Sequence, residues 1–401
     1  MKIAIINDLV KFGGAEVQTF REAALLRERG HEVMVLTFDR EFGWIDEPHH
    51  KNLPVSQGAV RKAVARFGSD SSVVRRIRKV LLDFGPDVVH INNAWRFGVS
   101  TFRATVDIPA LQTIRDYSAV CPRKTAVDTT GVACEGYRQN NCVSRCGLSV
   151  RTTLGRLALA SYNRERAAAV NQMLAPSQAL AAAATSNALP TKPLPNPFEF
   201  AALVKDGSTN GFVPPQEKRN YFYYGMVSRQ KGVEHLLSAW AEFCKRHDTA
   251  QLTIAGAVDP DYESDFRLAL ARCSRVNFVG RLEMSDIMSL YANIYCVVVP
   301  SLWLENYPNT VLEAQANKVL AIGSDRGGIP ELIRDERLRF QIASKHSMDE
   351  CLEYSWNLSE STYGELVNRA FERVTTENSP DRFVDALTEL MTMTIAAGAA
   401  V

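Results

Sequence analysis

The run Tyr295-Cys-Val-Val-Val299 constrains the fold of this chain more than any other stretch. Five consecutive apolar residues without polar alternation suit a strand covered on both faces, as in a parallel sheet, and Pro300-Ser301 ends it. The spacing then predicts a helix over 310–318, with Asn309 as N-cap, before the β-rich run Val319-Leu-Ala-Ile-Gly323. Strand, loop and helix in this order leave loop N–H groups and a positive helix end available to phosphate or sugar oxygens. Glu305 falls on the loop and Glu313 about one turn into the helix, so both carboxylates can face one crevice. Acceptor-only groups there suit the hydroxyls of ribose and of a sugar.

The same alternation runs through the whole chain. Strands are expected over 2–6, 32–38, 87–91, 109–114 and 169–175, with a helix over 15–29 closed by Gly30. The first strand, helix and second strand form a βαβ unit, whose crossover should be right-handed. A second series of strands falls at 221–224, 251–255, 276–279, 295–299 and 320–322, and Ser285 should cap a helix reaching Ala292. The 401 residues suit two domains. The segment 190–197 holds four prolines, which oppose both helix and ladder and mark a stiff linker. The division is therefore 1–195, 196–378, and a terminal segment 379–401. That segment opens on Ser379-Pro380, an N-cap with proline at the first helical position, and carries Phe383, Leu387, Leu390 and Met391 on one face.

Two further clusters sit where open α/β sheets bind ligands. Tyr221-Phe-Tyr-Tyr-Gly225 is a strand ending in glycine, and Arg229 and Lys231 leave its C-terminal edge before a helix over 233–244. An arginine can clamp phosphate bidentately and a lysine supplies a point charge. In the first half, Gly13-Gly14 opens a helix where backbone can approach an anion, although the spacing is not that of a dinucleotide fingerprint.

Glu305 and Glu313 with seven residues between them, followed by Gly327-Gly-Ile-Pro-Glu331, resemble the signature of the family 4 retaining glycosyltransferases. The resemblance spans nearly the whole chain and is of the bacterial polysaccharide type. It implies the GT-B fold, an α/β build of two Rossmann-like domains with parallel sheets facing across a cleft. It places Glu305 by the donor sugar, Glu313 on the ribose, and Arg229 and Lys231 on the diphosphate, which makes Glu305, Arg229 and Lys231 the catalytic candidates. The stretch Gly13 to Glu16 also matches the family's first loop, facing the donor phosphates. The donor-binding set is then Gly13, Gly14, Arg229, Lys231, Gly280, Leu282, Glu305, Asn306, Tyr307, Pro308, Asn309, Thr310 and Glu313. The last helix is implied to cross back onto the first domain.

The implied activity moves a sugar from a UDP- or GDP-linked donor to a glycan or lipid-linked acceptor with retention, in cell-surface polysaccharide synthesis. No cofactor is required at the donor site, and nucleic acid is not an expected partner. Asp259-Pro-Asp261 spells a metal-binding string but sits in a proline turn. The family commonly has histidine then aspartate where this chain has Arg115-Asp116. Arg115 cannot accept a proton at neutral pH, so it either stabilises the leaving phosphate or recognises an acidic sugar. His90 and Asn92 are candidate acceptor contacts with Arg115 and Asp116. Two other readings share the scaffold, a non-catalytic nucleotide-sugar-binding protein and a sugar-nucleotide epimerase; the missing glycine fingerprint argues against a nicotinamide dehydrogenase.

The net charge of +1 conceals an asymmetry: residues 1–195 hold 26 Lys+Arg against 17 Asp+Glu, while residues 196–401 hold 20 against 28. With the basic amphipathic helix expected at 73–84, this points to contact with an anionic membrane or lipid carrier, about 1 kcal/mol per basic residue near such a surface. No stretch reaches the ~18 apolar residues of a membrane span, and the N-terminus lacks a signal h-region. The expected location is cytoplasmic, at the inner face of the membrane. Cys121, Cys134, Cys142 and Cys146 crowd into one loop and fit a structural zinc set, a disulfide or redox pairing, or unlinked thiols.

Overall fold

The computed structural model describes residues 1–10, 13–43, 45–55, 68–94, 97–128, 134, 142, 146–147, 150–198, 219–342 and 344–398. They form two compact units, one comprising Met1–Pro197 with the segment from Pro380 onward and the other Phe198–Ser379.

The first unit holds an eight-stranded sheet in the order β3-β4-β2-β1-β5-β6-β7-β8. Its strands are β1 Lys2–Ile6, β2 Glu32–Thr37, β3 Ile45–Glu47, β4 His50–Asn52, β5 Val88–Ile91, β6 Ala110–Thr113, β7 Gln172–Ala175 and β8 Thr191–Pro193. All pair in parallel except the β3–β4 hairpin. Period-two alternation divides the core between the two faces. Ala4, Ile6, Met34, Leu36, Val89 and Ile91 point to one side, where the helix Ser71–Phe84 buries Val73, Ile77 and Leu81. Ile3, Ile5, Val33, Val35 and Val88 point to the other, covered by the helices Gly14–Glu28 and Pro380–Gly398. The last helix packs Phe383, Val384, Leu387 and Met391 there, and Arg29 holds Asp381 at 2.5 Å and Asp385 at 2.6 Å.

The second unit is a six-stranded parallel sheet in the order β11-β10-β9-β12-β13-β14. Its strands are β9 Asn220–Tyr224, β10 Gln251–Ala255, β11 Val276–Gly280, β12 Cys296–Val299, β13 Leu320–Ser324 and β14 Arg339–Phe340. Every residue of β12 is buried, as its unbroken apolar run requires.

Four expectations need correction. The strand expected over 169–175 is only β7, because the helix Val150–Ala169 runs up to it and Asn171 turns the chain, its amide donating to Ala110 O at 2.8 Å. The proline-rich linker contributes strand β8, with Leu194 N donating to Ala175 O at 2.7 Å; prolines are tolerated there because β8 is an edge strand. Ser285 does not cap its helix: Met284–Leu290 opens from Glu283, whose carbonyl accepts from Ile287 N at 3.1 Å, and the tail to Asn293 tightens into a 3₁₀ turn. Asn309 is the first residue of the helix Asn309–Ala316, and Pro308 is its cap, with Pro308 O accepting from Leu312 N at 3.4 Å.

Candidate active site

The site is built by close backbone contacts that only glycine permits. After β9 the chain turns through Met226–Lys231 and enters the helix Val233–Arg246 from Gly232. Gly232 has φ +72°, and a Cβ there would lie 1.8 Å from Pro300 O. The turn therefore lies directly against the end of β12. Gln230 O then accepts from Leu302 N at 3.0 Å and Trp303 N at 3.3 Å, fixing the start of the loop that follows β12. Gly327, at φ +58°, approaches the same loop; a Cβ would lie 2.1 Å from Glu305 O. Gly328 N donates to that oxygen at 2.6 Å, and Ser324 Oγ donates to Ser301 O at 2.7 Å.

Glu305 is thus held through its own peptide, and its carboxylate is presented to Lys231. Lys231 Nζ donates to Glu305 Oε1 at 2.6 Å and lies 5.7 Å from the Trp303 ring centroid. Side-chain exposure is 33% for Lys231 and 13% for Glu305, so the pair is partly shielded from water yet reachable. Tyr223 stands beside it; burial, and next the Glu305 charge, push its phenol far above the ordinary value, and its hydroxyl donates to Met226 O at 2.6 Å.

Arg229 has other partners. Its guanidinium pairs with Asp265 and, at 3.5 Å, with Glu234, and lies 5.3 Å from the Tyr262 ring centroid. The side chain is 57% exposed. Tyr262 is pushed up to about 12 by burial, with Glu234 and Asp265 adding and Arg229 opposing. The two cations expected on one diphosphate are therefore engaged by different carboxylates. Glu313 is buried on the helix Asn309–Ala316, while Asn306, Pro308, Asn309 and Thr310 are half-buried. Tyr307 is buried, with its hydroxyl against Asn378. Gly280 ends β11 and accepts from Gly256 N at 2.7 Å; Leu282 packs on the edge of the core. Asp259 uses a carboxylate oxygen to accept from Asp261 N at 3.1 Å, the closed turn expected for that string.

In the first unit three of the candidate acceptor residues, His90, Asn92 and Arg115, are joined by a glutamate that the sequence reading missed. Glu22, fully buried on the helix Gly14–Glu28, bonds His90 Nδ1 and accepts from Asn92 Nδ2 at 3.3 Å, with Arg115 Nη2 at 3.5 Å. Arg115 donates to Asn92 Oδ1 at 2.7 Å and to Asn196 Oδ1 at 2.6 Å; His90 Nε2 meets Thr113 Oγ1 at 2.8 Å. Burial pushes the Glu22 carboxyl up, but His90 and then Arg115 more than offset it and hold it below its usual range. Asp116 caps the short turn after β6, accepting from Ser118 N at 2.8 Å. Gly13 N donates to Glu16 Oε2 at 3.0 Å, and Gly14 begins the helix. No local pattern marks Glu22, which stands 68 residues from His90.

All eight cysteines are free thiols. Cys134 is pushed up to about 11 by burial, with Cys121, Cys146 and Cys142 near enough to add. Among the described residues no group of three or more His, Cys, Asp or Glu is placed to hold a metal ion, and no helix is long and apolar enough to cross a membrane.

Two parallel-sheet α/β domains of this kind define the GT-B fold class. Known structures agree: sucrose-phosphate synthase from Thermosynechococcus elongatus superposes with a TM-score of 0.74 over 99% of both chains at 18% identity. Anabaena HepE in complex with UDP and glucose gives 0.65 over 98% of this chain and all of that one at 17% identity. Residues 12–194 match the family model described as Glycosyltransferase Family 4, and residues 208–370 match the one described as Glycosyl transferases group 1. The chain is a glycosyltransferase-family protein with the GT-B fold. An uncharacterised glycosyltransferase of Methanocaldococcus jannaschii is 30% identical over 146 residues, 35% of this chain. The chain spans only about a third of the length of the first curated relatives it matches, 37% and 30%.

Proposed function

We propose that this protein transfers a sugar from a nucleoside diphosphate donor to a glycan or lipid-linked acceptor, with retention of anomeric configuration, in cell-surface polysaccharide synthesis. The observation that carries the reading is the Lys231–Glu305 pair, 2.6 Å apart at the strand-end edge of a parallel sheet. Support for the donor class comes from HepE, whose structure holds UDP and glucose. UDP- and GDP-linked sugars fit the same argument, because the invoked contacts concern the diphosphate and sugar rather than the base.

In the reaction the bond between the anomeric carbon and the diphosphate oxygen breaks, and the acceptor hydroxyl oxygen bonds to the same face of that carbon. The acceptor proton goes to the departing phosphate. Negative charge grows on the leaving group, so a cation fixed beforehand is the largest stabilising element. Lys231 supplies it, with Arg229 after exchanging Asp265 for phosphate, and loop amides around Asn309 and Thr310 assist. Glu305 orients sugar hydroxyls and Glu313 the ribose. Gly13, Gly14, Gly280, Leu282, Asn306, Tyr307 and Pro308 complete the donor-binding set, and His90, Asn92, Arg115 and Asp116 lie toward the acceptor. The basic first half, +9 over residues 1–195, favours an anionic lipid carrier at the cytoplasmic face of a membrane.

The test follows UDP-glucose and GDP-linked sugars by proton NMR during slow transfer to water and to candidate acceptors. Free nucleoside diphosphate, with a first-formed sugar product of the donor's own anomeric configuration, is the expected result. An inverted first product, or no diphosphate release from any donor, overturns the reading.

A further inference from the structure

Both passages of the chain into and out of the second unit meet at one buried residue, Asn378, whose backbone holds the entry and whose side chain holds the glutamate loop. The chain enters the unit at Phe198 and leaves it at Ser379. Phe198 N donates to Asn378 O at 2.9 Å, and Asn378 N in turn donates to Val374 O at 3.0 Å, closing the helix Glu360–Glu377. The Asn378 carboxamide meets the Tyr307 hydroxyl, with Oδ1 at 3.3 Å and Nδ2 at 3.1 Å. Tyr307 is two residues after Glu305 and immediately before Pro308, the helix cap. Phe198, Tyr307 and Asn378 are all buried, so each of these bonds is made away from water.

A phenylalanine would fill the same apolar space as Tyr307, so packing alone does not call for the hydroxyl. A buried hydroxyl is costly unless it is bonded, and this one is bonded to the residue that anchors the chain entry. Burial pushes the phenol up to about 12, which keeps it protonated and able to donate to Oδ1 or accept from Nδ2.

We infer that the Tyr307–Asn378 contact couples the Glu305 loop to the segments through which the chain enters and leaves this unit, and that Tyr307 is a positioning residue for the donor site. Loosening either end of the contact loosens the other. That the loop binds a nucleoside diphosphate rests on the function proposed above; the coupling itself does not.

Hydrogen exchange of the full-length protein tests it. Without ligand, Tyr307→Phe should speed exchange roughly five- to tenfold in peptides covering 300–312 and also in the peptide 190–198, which holds the Phe198 amide, as expected for loss of one buried hydrogen bond. Asn378→Ala, which keeps the backbone carbonyl, should do the same, and the double variant should add nothing. UDP should slow exchange at 190–198 in the wild type but not in Tyr307→Phe, a transmitted effect that a purely structural tyrosine would not produce. Acceleration confined to 300–312, or additive single variants, overturns the coupling. Failure of UDP to bind the wild type counts against the donor reading, while the ligand-free exchange still decides the coupling.

Discussion

Lys231 Nζ and Glu305 Oε1 stand 2.6 Å apart although 74 residues separate them in sequence. The turn carrying Lys231 is pressed onto Pro300 by Gly232, and the loop carrying Glu305 is pressed onto Gly327, so both side chains are delivered by backbone packing. On the proposed function, a phosphate arriving here would share the lysine with a carboxylate that is already in place. In the reaction proposed above, the pair would orient a sugar and hold its leaving group without rebuilding either loop.

Lys231→Ala should reduce turnover of the nucleotide sugar by about 10²–10³-fold, the usual consequence of removing one preorganised charge. The melting temperature should change little, because a pair one-third exposed on the lysine side contributes modestly to stability. Steady-state kinetics beside a thermal melt checks this; near-wild-type turnover would remove Lys231 from the mechanism.

Glycine substitutions should split by position. Gly327→Ala puts a Cβ against Glu305 O and forces a left-handed φ, which alone costs about 1–2 kcal/mol, so both stability and donor affinity should fall. Gly364→Ala, inside the helix Glu360–Glu377 with nothing within 4 Å of the new Cβ, should instead stabilise by roughly 0.5–1 kcal/mol. Denaturant melts of the two variants should move in opposite directions.

The buried Glu22 network should show in the acid limb of stability. Its folded carboxyl titrates below the ordinary value of 4.5, so its contribution is present above that pH and fades as pH falls through the folded value. Glu22→Gln leaves His90 and Arg115 without a buried anion and should cost about 3–5 kcal/mol near neutral pH. The gap between wild type and variant should shrink below about pH 4.5. Denaturant titrations at several pH values measure it; a gap that stays constant into acid would show that Glu22 is not the linked group.

Arg115→Gln should likewise cost stability, because the guanidinium is shared among Asn92, Asn196 and Glu22. A drop in melting temperature of several degrees, with donor preference unchanged between neutral and acidic sugars, is the expected outcome. A changed preference at unchanged stability would return Arg115 to sugar recognition.

What the sequence revealed and what it hid follow from how local each signal is. The strand β12 and the glycine turn before the helix Val233–Arg246 are set by residues within a few positions, so periodicity and turn chemistry disclosed them. The hairpin of Ile45–Glu47 and His50–Asn52 went unread because its residues are largely polar and show no alternation. Strand β8 was masked by prolines that an edge position tolerates. At Pro308 the backbone, and not the polar side chain of Asn309, decides the cap. Glu22 with His90, Asp265 with Arg229, and Glu305 with Lys231 are long-range pairings with no local mark.

The most direct measurement is calorimetric titration of UDP and of GDP into the wild type and Lys231→Ala. At least one nucleotide should bind the wild type, and the variant should bind it at least tenfold more weakly, or about 1.4 kcal/mol. Equal affinity for the two proteins, or no binding of either nucleotide to the wild type, would contradict the assignment of this site to a donor diphosphate.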